Sequence, residues 1–222
     1  MASTNYSVVQ IKNGIFPSNT YIFTDIDTGK SLIIDPGLDR EALVHAEKEL
    51  GLKPVAVLAT HGHFDHIGHA AYFQEKYKIP FYLHEKDLKL SQSANFYLKV
   101  ARLGFNIDTP VPDHLFRGDK YQFSLAGFEC TIYNFPGHTP GSCVIQHKEN
   151  LFTGDIFYKN GLGFNHFPGE NPQQLKESIR TIFHAFTEQT NIYPGHGSAA
   201  TLGTIKSENK ELINFIYSNE EL

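Results

Sequence analysis

Four histidines fall within nine consecutive positions of this chain, from His61 to His69. The chain has 12 histidines in 222 residues, so a random arrangement would place only about half a histidine in nine positions. The cluster follows an apolar run, Val55–Ala59, and precedes a helical pattern, which predicts a loop at the end of a strand. A scaffold can direct several side chains from such a loop to one point. We therefore interpret the cluster as a candidate metal-binding loop.

The spacing within this loop indicates two pairs of ligands. His61 and His63 alternate with Gly62, which suits two imidazoles on the same side of an extended loop. This differs from the helical His-Glu-x-x-His pattern, in which the histidines share a helix face at i and i+4. Asp65 and His66 follow directly and can face a neighbouring point, so one loop can serve two metal ions. Neutral imidazole and carboxylate are ligands for zinc, iron and manganese.

Each pair alone leaves a metal ion under-coordinated, so further ligands must come from elsewhere in the chain. Three later residues have the right chemistry: His138 in Pro-Gly-His-Thr-Pro-Gly, Asp155 in Phe-Thr-Gly-Asp, and His196 in Tyr-Pro-Gly-His-Gly. Each follows an apolar strand pattern and lies in a turn rich in glycine or proline, as the first motif does. Together with the first motif they are sufficient to complete two metal sites.

The order of these motifs resembles the metallo-β-lactamase fold superfamily and, within it, the short glyoxalase II-like (hydroxyacylglutathione hydrolase-like) hydrolases. The resemblance rests on five motifs spread over nearly the whole chain: Ile33-Ile34-Asp35-Pro36-Gly37, THGHFDH, PGHTPGS, FTGDIFY and PGHGS. It implies two divalent metal ions, zinc first, with iron or manganese as alternatives. The residues that the resemblance assigns are His61, His63 and His138 to one ion, Asp65, His66 and His196 to the other, and Asp155 as the bridge.

Hydrophobic periodicity predicts the fold separately. Strands followed by helices occur twice along the chain, which favours an α/β (α+β) protein with two sheets packed together and helices outside, the αββα four-layer sandwich that the resemblance also implies. We predict one domain over 1–222, with 85–113 as an insertion near the site. The predicted helices include Ile67–Tyr77, Leu88–Leu103, one capped by Asn171 with Pro172 at its first position, and a terminal helix that carries Ile205 and Ile216.

The metal chemistry predicts hydrolysis. Two cations that share a water molecule lower its pKa, so a metal-bound hydroxide can act as the nucleophile at neutral pH. One ion polarises the scissile carbonyl, and the other receives the leaving group. We expect Asp65 to be catalytic by orienting the hydroxide. Asp35 and Thr139 are candidates for holding ligand histidines in place, Thr139 for His138.

The loop after Asp155 contains the candidate substrate contacts, which are Tyr158, Lys159, Phe164 and His166. Enzymes that cleave glutathione thioesters usually carry a cation where this chain has Phe164, so the sequence does not predict glutathione recognition. We predict cleavage of a thioester or related ester. The alternatives are a lactonase, a persulfide dioxygenase with one iron ion, and a metal-binding sensor module without enzymatic activity.

Charge and composition limit the partners. The net charge is −5 and no basic run occurs, which disfavours nucleic acid and with it a ribonuclease function. The first ten residues lack the pattern of a signal peptide, and no stretch approaches 18 apolar residues. We expect a cytoplasmic protein with a small-molecule substrate and no membrane association; the exported β-lactamases are accordingly disfavoured, and the oligomeric state is not predicted. Cys130 and Cys143 lie in apolar runs and are expected to be reduced, buried thiols.

Overall fold

The chain divides into two compact units in a computed structural model, which describes residues 5–163 and 169–217. The N-terminal unit extends to residue 116 and includes residues 124–128. The C-terminal unit comprises residues 117–123 and the chain from 129 onwards. The single domain expected over 1–222 stays a prediction.

The N-terminal unit is built on a six-stranded sheet in which sequence order and spatial order coincide. Its first three strands are antiparallel, and the remaining neighbours are parallel. The strands are β1 (Tyr6–Lys12), β2 (Asn19–Asp25), β3 (Lys30–Ile34), β4 (Lys53–Leu58), β5 (Phe81–His84) and β6 (His114–Phe116). The helices are α1 (Arg40–Leu50), α2 (Phe64–Ile67), α3 (Ala70–Tyr77), α4 (Leu88–Gln92) and α5 (Ala94–Val100), with a 3₁₀ turn at Glu85–Asp87.

Helices pack on this sheet through its buried aliphatic side chains. Ile33 and Val57 from the strands share one core with Leu43 of α1 and Phe73 of α3. The start of α1 is fixed by Asp39, whose carboxylate accepts a hydrogen bond from the Ala42 amide at 3.0 Å. The chain therefore leaves β3 and turns directly into a helix that covers the sheet.

The second sheet also has six strands, in the spatial order β12-β11-β10-β9-β8-β7. The pair β10 and β11 is parallel, while β8, β9 and β10 are antiparallel neighbours. The strands are β7 (Lys120–Leu125), β8 (Phe128–Asn134), β9 (Cys143–His147), β10 (Asn150–Gly154), β11 (Asn191–Pro194) and β12 (Ala200–Thr201). The helices are α6 (Pro172–Ala185), α7 (Leu202–Glu208) and α8 (Lys210–Tyr217).

Helix α6 has the start that the sequence predicts. The side chain of Asn171 accepts a hydrogen bond from the Gln174 amide at 3.0 Å, and Pro172 occupies the first helical position. Leu175 and Ile179 on its buried face pack with Leu151 of β10 and with side chains of α7 and α8. This core keeps α6 against the sheet strands that precede the later motifs.

Both cysteines belong to the C-terminal unit, and both are buried free thiols, as predicted. Burial raises the pKa of the Cys130 thiol to about 12, so it stays protonated at neutral pH.

The two mixed sheets with flanking helices confirm the expected metallo-β-lactamase fold. Three helix predictions were wrong in extent. The helix expected over Ile67–Tyr77 begins earlier, as α2 at Phe64, and is interrupted before α3 begins at Ala70. The helix expected over Leu88–Leu103 is divided into α4 and α5, and the terminal helix expected to carry Ile205 and Ile216 is divided into α7 and α8. None of the described helices combines the length and the apolar character that a membrane crossing requires.

A buried carboxylate joins α1 to α3. Glu47 of α1 accepts hydrogen bonds from the hydroxyls of Tyr72, at 2.9 Å, and Tyr77, and pairs with the Lys76 ammonium. Burial alone would raise the pKa of Glu47, but these three partners outweigh it and hold that pKa below its usual value of 4.5. The ionised form therefore stabilises the folded state.

We expect Glu47→Gln to lower the free energy of unfolding by about 2 kcal/mol at pH 7, because the amide loses the charge-assisted bonds. The folded-state pKa is depressed, so the contribution is complete above pH 4.5 and is lost as the pH falls through the folded-state pKa. Urea unfolding at pH 7 and at pH 3.5 measures the effect. The difference between wild type and variant should shrink at the lower pH, and a constant difference would contradict this role.

Candidate metal centre

Asp35 contacts the candidate ligand residues of the N-terminal unit. It follows β3 in a left-handed backbone conformation, with a φ of 52°, which aspartate tolerates better than most residues. One carboxylate oxygen accepts a hydrogen bond from the Thr60 amide at 2.7 Å. The other lies 2.6 Å from the Thr60 hydroxyl and 3.0 Å from Nδ1 of His66. Asp35 therefore holds the ring of His66 in place, as expected, while the role of His66 as a metal ligand stays a prediction.

The same contacts fix the tautomers of two histidines. An ionised Asp35 can only accept, so Nδ1 of His66 must carry a proton. The Thr60 hydroxyl donates its proton to Asp35, and its oxygen therefore accepts from Nδ1 of His61, 3.1 Å away. In both imidazoles the lone pair is then at Nε2, which is the nitrogen left to bind a metal ion.

The Nε2 atoms of these two histidines each face a second donor, in the two pairs that the spacing predicts. Nε2 of His61 lies 3.1 Å from Nδ1 of His63, close to the separation of about 3.4 Å between two nitrogen ligands of a tetrahedral zinc ion. Nε2 of His66 lies 3.5 Å from a carboxylate oxygen of Asp65. The His61 and His66 rings are neighbours, with centroids 4.2 Å apart. The loop therefore presents two adjacent donor pairs.

Helix α2 supplies the second pair. Asp65 and His66 lie on this one-turn helix, whose N-cap residue is His63. The Ser18 hydroxyl, from the turn between β1 and β2, donates to the backbone carbonyl of Asp65 at 2.7 Å. The sequence predicted that Asp65 and His66 would be in a loop. In the structure they are helical, but they still lie next to His61 and His63 as predicted.

The segment 85–113 supports the first pair through Asp87, a residue that sequence reasoning missed. The Asp87 side chain is fully buried, and its carboxylate accepts a hydrogen bond from the amide of Gly62 at 2.9 Å. A Cβ atom at position 62 would lie 2.9 Å from the Asp87 carbonyl oxygen, so glycine permits this close approach. This hydrogen bond holds the backbone between His61 and His63 in place.

In the C-terminal unit, the ligand candidates converge on one oxygen of Asp155. This oxygen lies 3.7 Å from Nε2 of His138 and 3.2 Å from Nε2 of His196. Asp155 directly follows β10, and the amide of Gly195 donates to the Gly154 carbonyl at 2.7 Å. That bond joins the strand end that carries Asp155 to the turn that carries His196.

His138 is buried, and Nδ1 of its ring faces two acceptors. The Gly163 carbonyl oxygen lies 2.8 Å away, and the Glu170 carboxylate lies 3.3 Å away. The Thr139 hydroxyl, which the sequence suggested for orienting His138, lies 2.8 Å from the Ser142 hydroxyl; its role towards His138 stays a prediction. Burial lowers the pKa of His138, whereas Glu170, Asp155 and the Gly163 carbonyl together raise it above the usual value. Nothing in the sequence spacing signals Glu170.

Two of the predicted substrate contacts have defined surroundings. The Tyr158 ring packs edge-on against the His196 ring, with centroids 5.5 Å apart. Lys159 instead pairs with Glu208 of α7 at 3.6 Å, which makes it part of a surface ion pair. The other two predicted contacts, Phe164 and His166, lie outside the described residues.

The donors of both units fit divalent metal ions. Three of the histidines have an anchored Nδ1 and turn Nε2 towards another donor, which is the arrangement typical of metal-binding imidazoles: His61, His66 and His138. One ring nitrogen each of His61 and His66 lies within 4.8 Å of the other and of a carboxylate oxygen of Asp35, the residue that anchors them. Nitrogen and carboxylate donors in these numbers are consistent with a dimetal site and suit zinc, iron and manganese alike.

Comparison with known proteins places these residues in a family context. The model of the metallo-beta-lactamase superfamily matches residues 13–210. A curated relative is the hydroxyacylglutathione hydrolase GloC of Haemophilus influenzae, which is 35% identical over 198 residues. That alignment covers 87% of this chain and 92% of the relative.

Two solved structures are similar over almost their whole length. BLEG-1, described as a B3 metallo-beta-lactamase, is 31% identical with a TM-score of 0.82, and the match covers 93% of this chain and 99% of that chain. TTHA1623, crystallised in a di-iron-bound form, is 30% identical with a TM-score of 0.79. Its match covers 91% of this chain and 98% of that chain.

Proposed function

This chain belongs to the metallo-β-lactamase superfamily, and from that premise we propose that it is a metal-dependent hydrolase that cleaves a thioester or related ester. Its ligands in this proposal are those assigned above from the motif order. They are His61, His63 and His138 for one ion, Asp65, His66 and His196 for the other, and Asp155 between them. The similarity to GloC, whose name specifies hydroxyacylglutathione, supports the thioester class.

The observation that carries the proposal is the hydrogen-bond relay from Asp35. One buried carboxylate sets the tautomer of His66 directly and that of His61 through Thr60. With its Nδ1 proton donated to Asp35, His66 directs the lone pair of Nε2 at a carboxylate oxygen of Asp65, 3.5 Å away. A lone pair and an anionic oxygen repel one another, so a purely structural histidine does not require this arrangement. It is favourable when a cation lies between the nitrogen and the carboxylate oxygen.

Two divalent ions held by these residues would lower the pKa of water, so that hydroxide is available near neutral pH, and would stabilise negative charge on a substrate carbonyl. The protein residues provide position and charge. Asp155 offers an anionic oxygen towards both His138 and His196. Asp65, held through its backbone by Ser18, has a carboxylate that can accept a proton from the nucleophile and orient it. Tyr158, whose ring packs against that of His196, is the substrate contact in this proposal.

A small-molecule substrate fits this proposal, and nucleic acid and membranes are not part of it. The chain carries 24 acidic against 19 basic residues, which gives no electrostatic attraction for a phosphate backbone. Zinc is the first candidate for the metal, while the di-iron form of TTHA1623 supports iron as the alternative.

The test is hydrolysis of S-D-lactoylglutathione by the metal-loaded protein, with His63→Ala as the control. We expect a kcat/KM of about 10⁵ M⁻¹s⁻¹ or more if glutathione thioesters are the substrates. Chelation should abolish the activity, and added metal should restore it. The His63→Ala variant should lose it, since one nitrogen ligand of the first ion is missing.

Other substrates decide between the remaining alternatives. Slow hydrolysis of this thioester together with faster, metal-dependent hydrolysis of a lactone would make the protein a lactonase. Hydrolysis of a β-lactam would indicate a β-lactamase, the class named for the similar structure BLEG-1. Oxygen uptake with glutathione persulfide would indicate the dioxygenase. Absence of metal-dependent turnover on the ester, thioester and lactam probes would reject the proposed hydrolase.

A further inference from the structure

We propose that Glu170 is a positioning residue that strengthens metal binding by His138 through its negative charge. The proposal rests on the proposed function, because it takes His138 to be a metal ligand. Glu170 lies outside the five motifs that carry the family resemblance, and it directly precedes the N-cap of α6.

The geometry places this carboxylate on the far side of the His138 ring from Asp155. One oxygen of Glu170 lies 3.3 Å from Nδ1 of His138, while Nε2 of the same ring lies 3.7 Å from the Asp155 oxygen. The side chains of His138 and Glu170 are each only 2% exposed. The two carboxylates therefore act on opposite nitrogens of one buried imidazole.

The backbone holds Glu170 in this place. The amide of the next residue, Asn171, donates to the Gly137 carbonyl at 2.7 Å, directly beside His138. Within α6, the Ser178 hydroxyl donates to the Pro136 carbonyl, also at 2.7 Å. The start of α6 and the turn that carries His138 are thus joined twice, so the carboxylate is oriented before any metal binds.

The Gly163 carbonyl already accepts from Nδ1 at 2.8 Å and can fix the ring and its tautomer without help. Glu170 adds a negative charge in a buried environment, where solvent screens it weakly. An anion beside the Nδ1 proton makes Nε2 of His138 more electron-rich. It thereby favours a metal ion at Nε2. The expected consequence is tighter metal binding rather than a different ring orientation.

A metal titration separates this role from a structural one. The probe is Zn²⁺ alone, measured by competition with a chromophoric chelator, and His138→Ala identifies the step to which this histidine contributes. We expect Glu170→Gln, which keeps the size and an acceptor oxygen, to weaken that step by about 10-fold, and Glu170→Ala to weaken it by up to about 100-fold. The other zinc step should stay unchanged in both variants.

The matched control is Glu177→Gln, which removes an exposed carboxylate from the same helix. It should bind both zinc ions as the wild type does. The absorption spectrum of the Co²⁺-substituted protein provides a second readout. Glu170→Gln should retain the wild-type band pattern at saturating Co²⁺, because the Gly163 carbonyl still orients the ring, and should need more Co²⁺ to reach it.

The outcomes keep the two proposals apart. If wild-type protein binds fewer than two zinc ions, or if His138→Ala removes neither, the proposed metal centre is wrong. If the wild type binds two ions and both Glu170 variants show wild-type constants, the role of Glu170 is rejected. A lower melting temperature of the metal-free variants with unchanged zinc constants also rejects it, since this is the result of a structural role alone.

Discussion

Replacement of Asp155 by asparagine is expected to lower kcat/KM by at least about 1,000-fold, which corresponds to about 4 kcal/mol of lost transition-state stabilisation. In the C-terminal unit, the Asp155 oxygen is the atom that meets Nε2 of both His138 and His196. Asparagine has nearly the same shape but no charge, so it removes the anion while the packing is kept. Metal content should fall together with activity.

The measurement combines steady-state kinetics with metal analysis of the purified variant. Asp119→Asn, an exposed carboxylate of the C-terminal unit, is the control and should retain full activity and metal content. The unfolding midpoint of the metal-free Asp155→Asn protein should change little compared with the loss of activity. Full activity in this variant would show that Asp155 is not a metal ligand.

Asp35→Ala is expected to reduce activity by at least 100-fold although Asp35 is assigned no direct metal bond. The substitution removes the acceptor for Nδ1 of His66 and for the Thr60 hydroxyl, so His66 and His61, the proposed ligands, lose their fixed tautomer. It also leaves the buried Thr60 amide without this acceptor and places alanine at a positive φ. These two effects together should lower the free energy of unfolding by about 3 kcal/mol.

Asp39→Ala is the matched control, because this carboxylate belongs to the same loop and caps α1. It should lower stability by about 1 kcal/mol and leave metal affinity unchanged. Zinc competition and urea unfolding on both variants give the comparison. Equal metal affinity in Asp35→Ala and wild type would mean that the relay does not prepare the histidines for a metal ion.

Periodicity was sufficient to predict most of the sheet strands because they are apolar runs bounded by turn residues. Apolar runs predict strands over Phe128–Asn134 and Cys143–His147, and the bounds of β8 and β9 agree with them residue by residue. Two strands were missed, β6 and β12, which have three and two residues and carry no alternation that a pattern could reveal. Tertiary pairing, rather than local sequence, makes them strands.

The interruption between α2 and α3 has a cause that sequence patterns do not contain. A Cβ atom on Gly68 would lie 2.6 Å from a Leu38 methyl group, so the chain approaches the loop after β3 closely. The amide of His69 donates to the Pro36 carbonyl at 3.0 Å instead of continuing the helix ladder. A contact between segments 30 residues apart thus decides where the helix breaks.

The candidate ligands could be proposed from the sequence because their motifs are local and repeat one pattern, a histidine or aspartate after an apolar strand. Their supporting residues could not. Asp87 and Glu170 reach Gly62 and His138 only through the folded chain, and neither lies in a motif. Residue types and spacing are sufficient to propose candidate ligands, whereas the residues that orient them can be found only from side-chain contacts.

The location of the two thiols gives the protein a natural reporter of partial unfolding. Cys130 and Cys143 are both buried in the C-terminal unit, and the N-terminal unit contains no cysteine. A thiol-alkylating reagent in solution can therefore react only when the C-terminal unit opens. If the alkylation rate yields the same opening free energy as global unfolding by urea, the two units unfold cooperatively; a smaller value means that the C-terminal unit opens by itself.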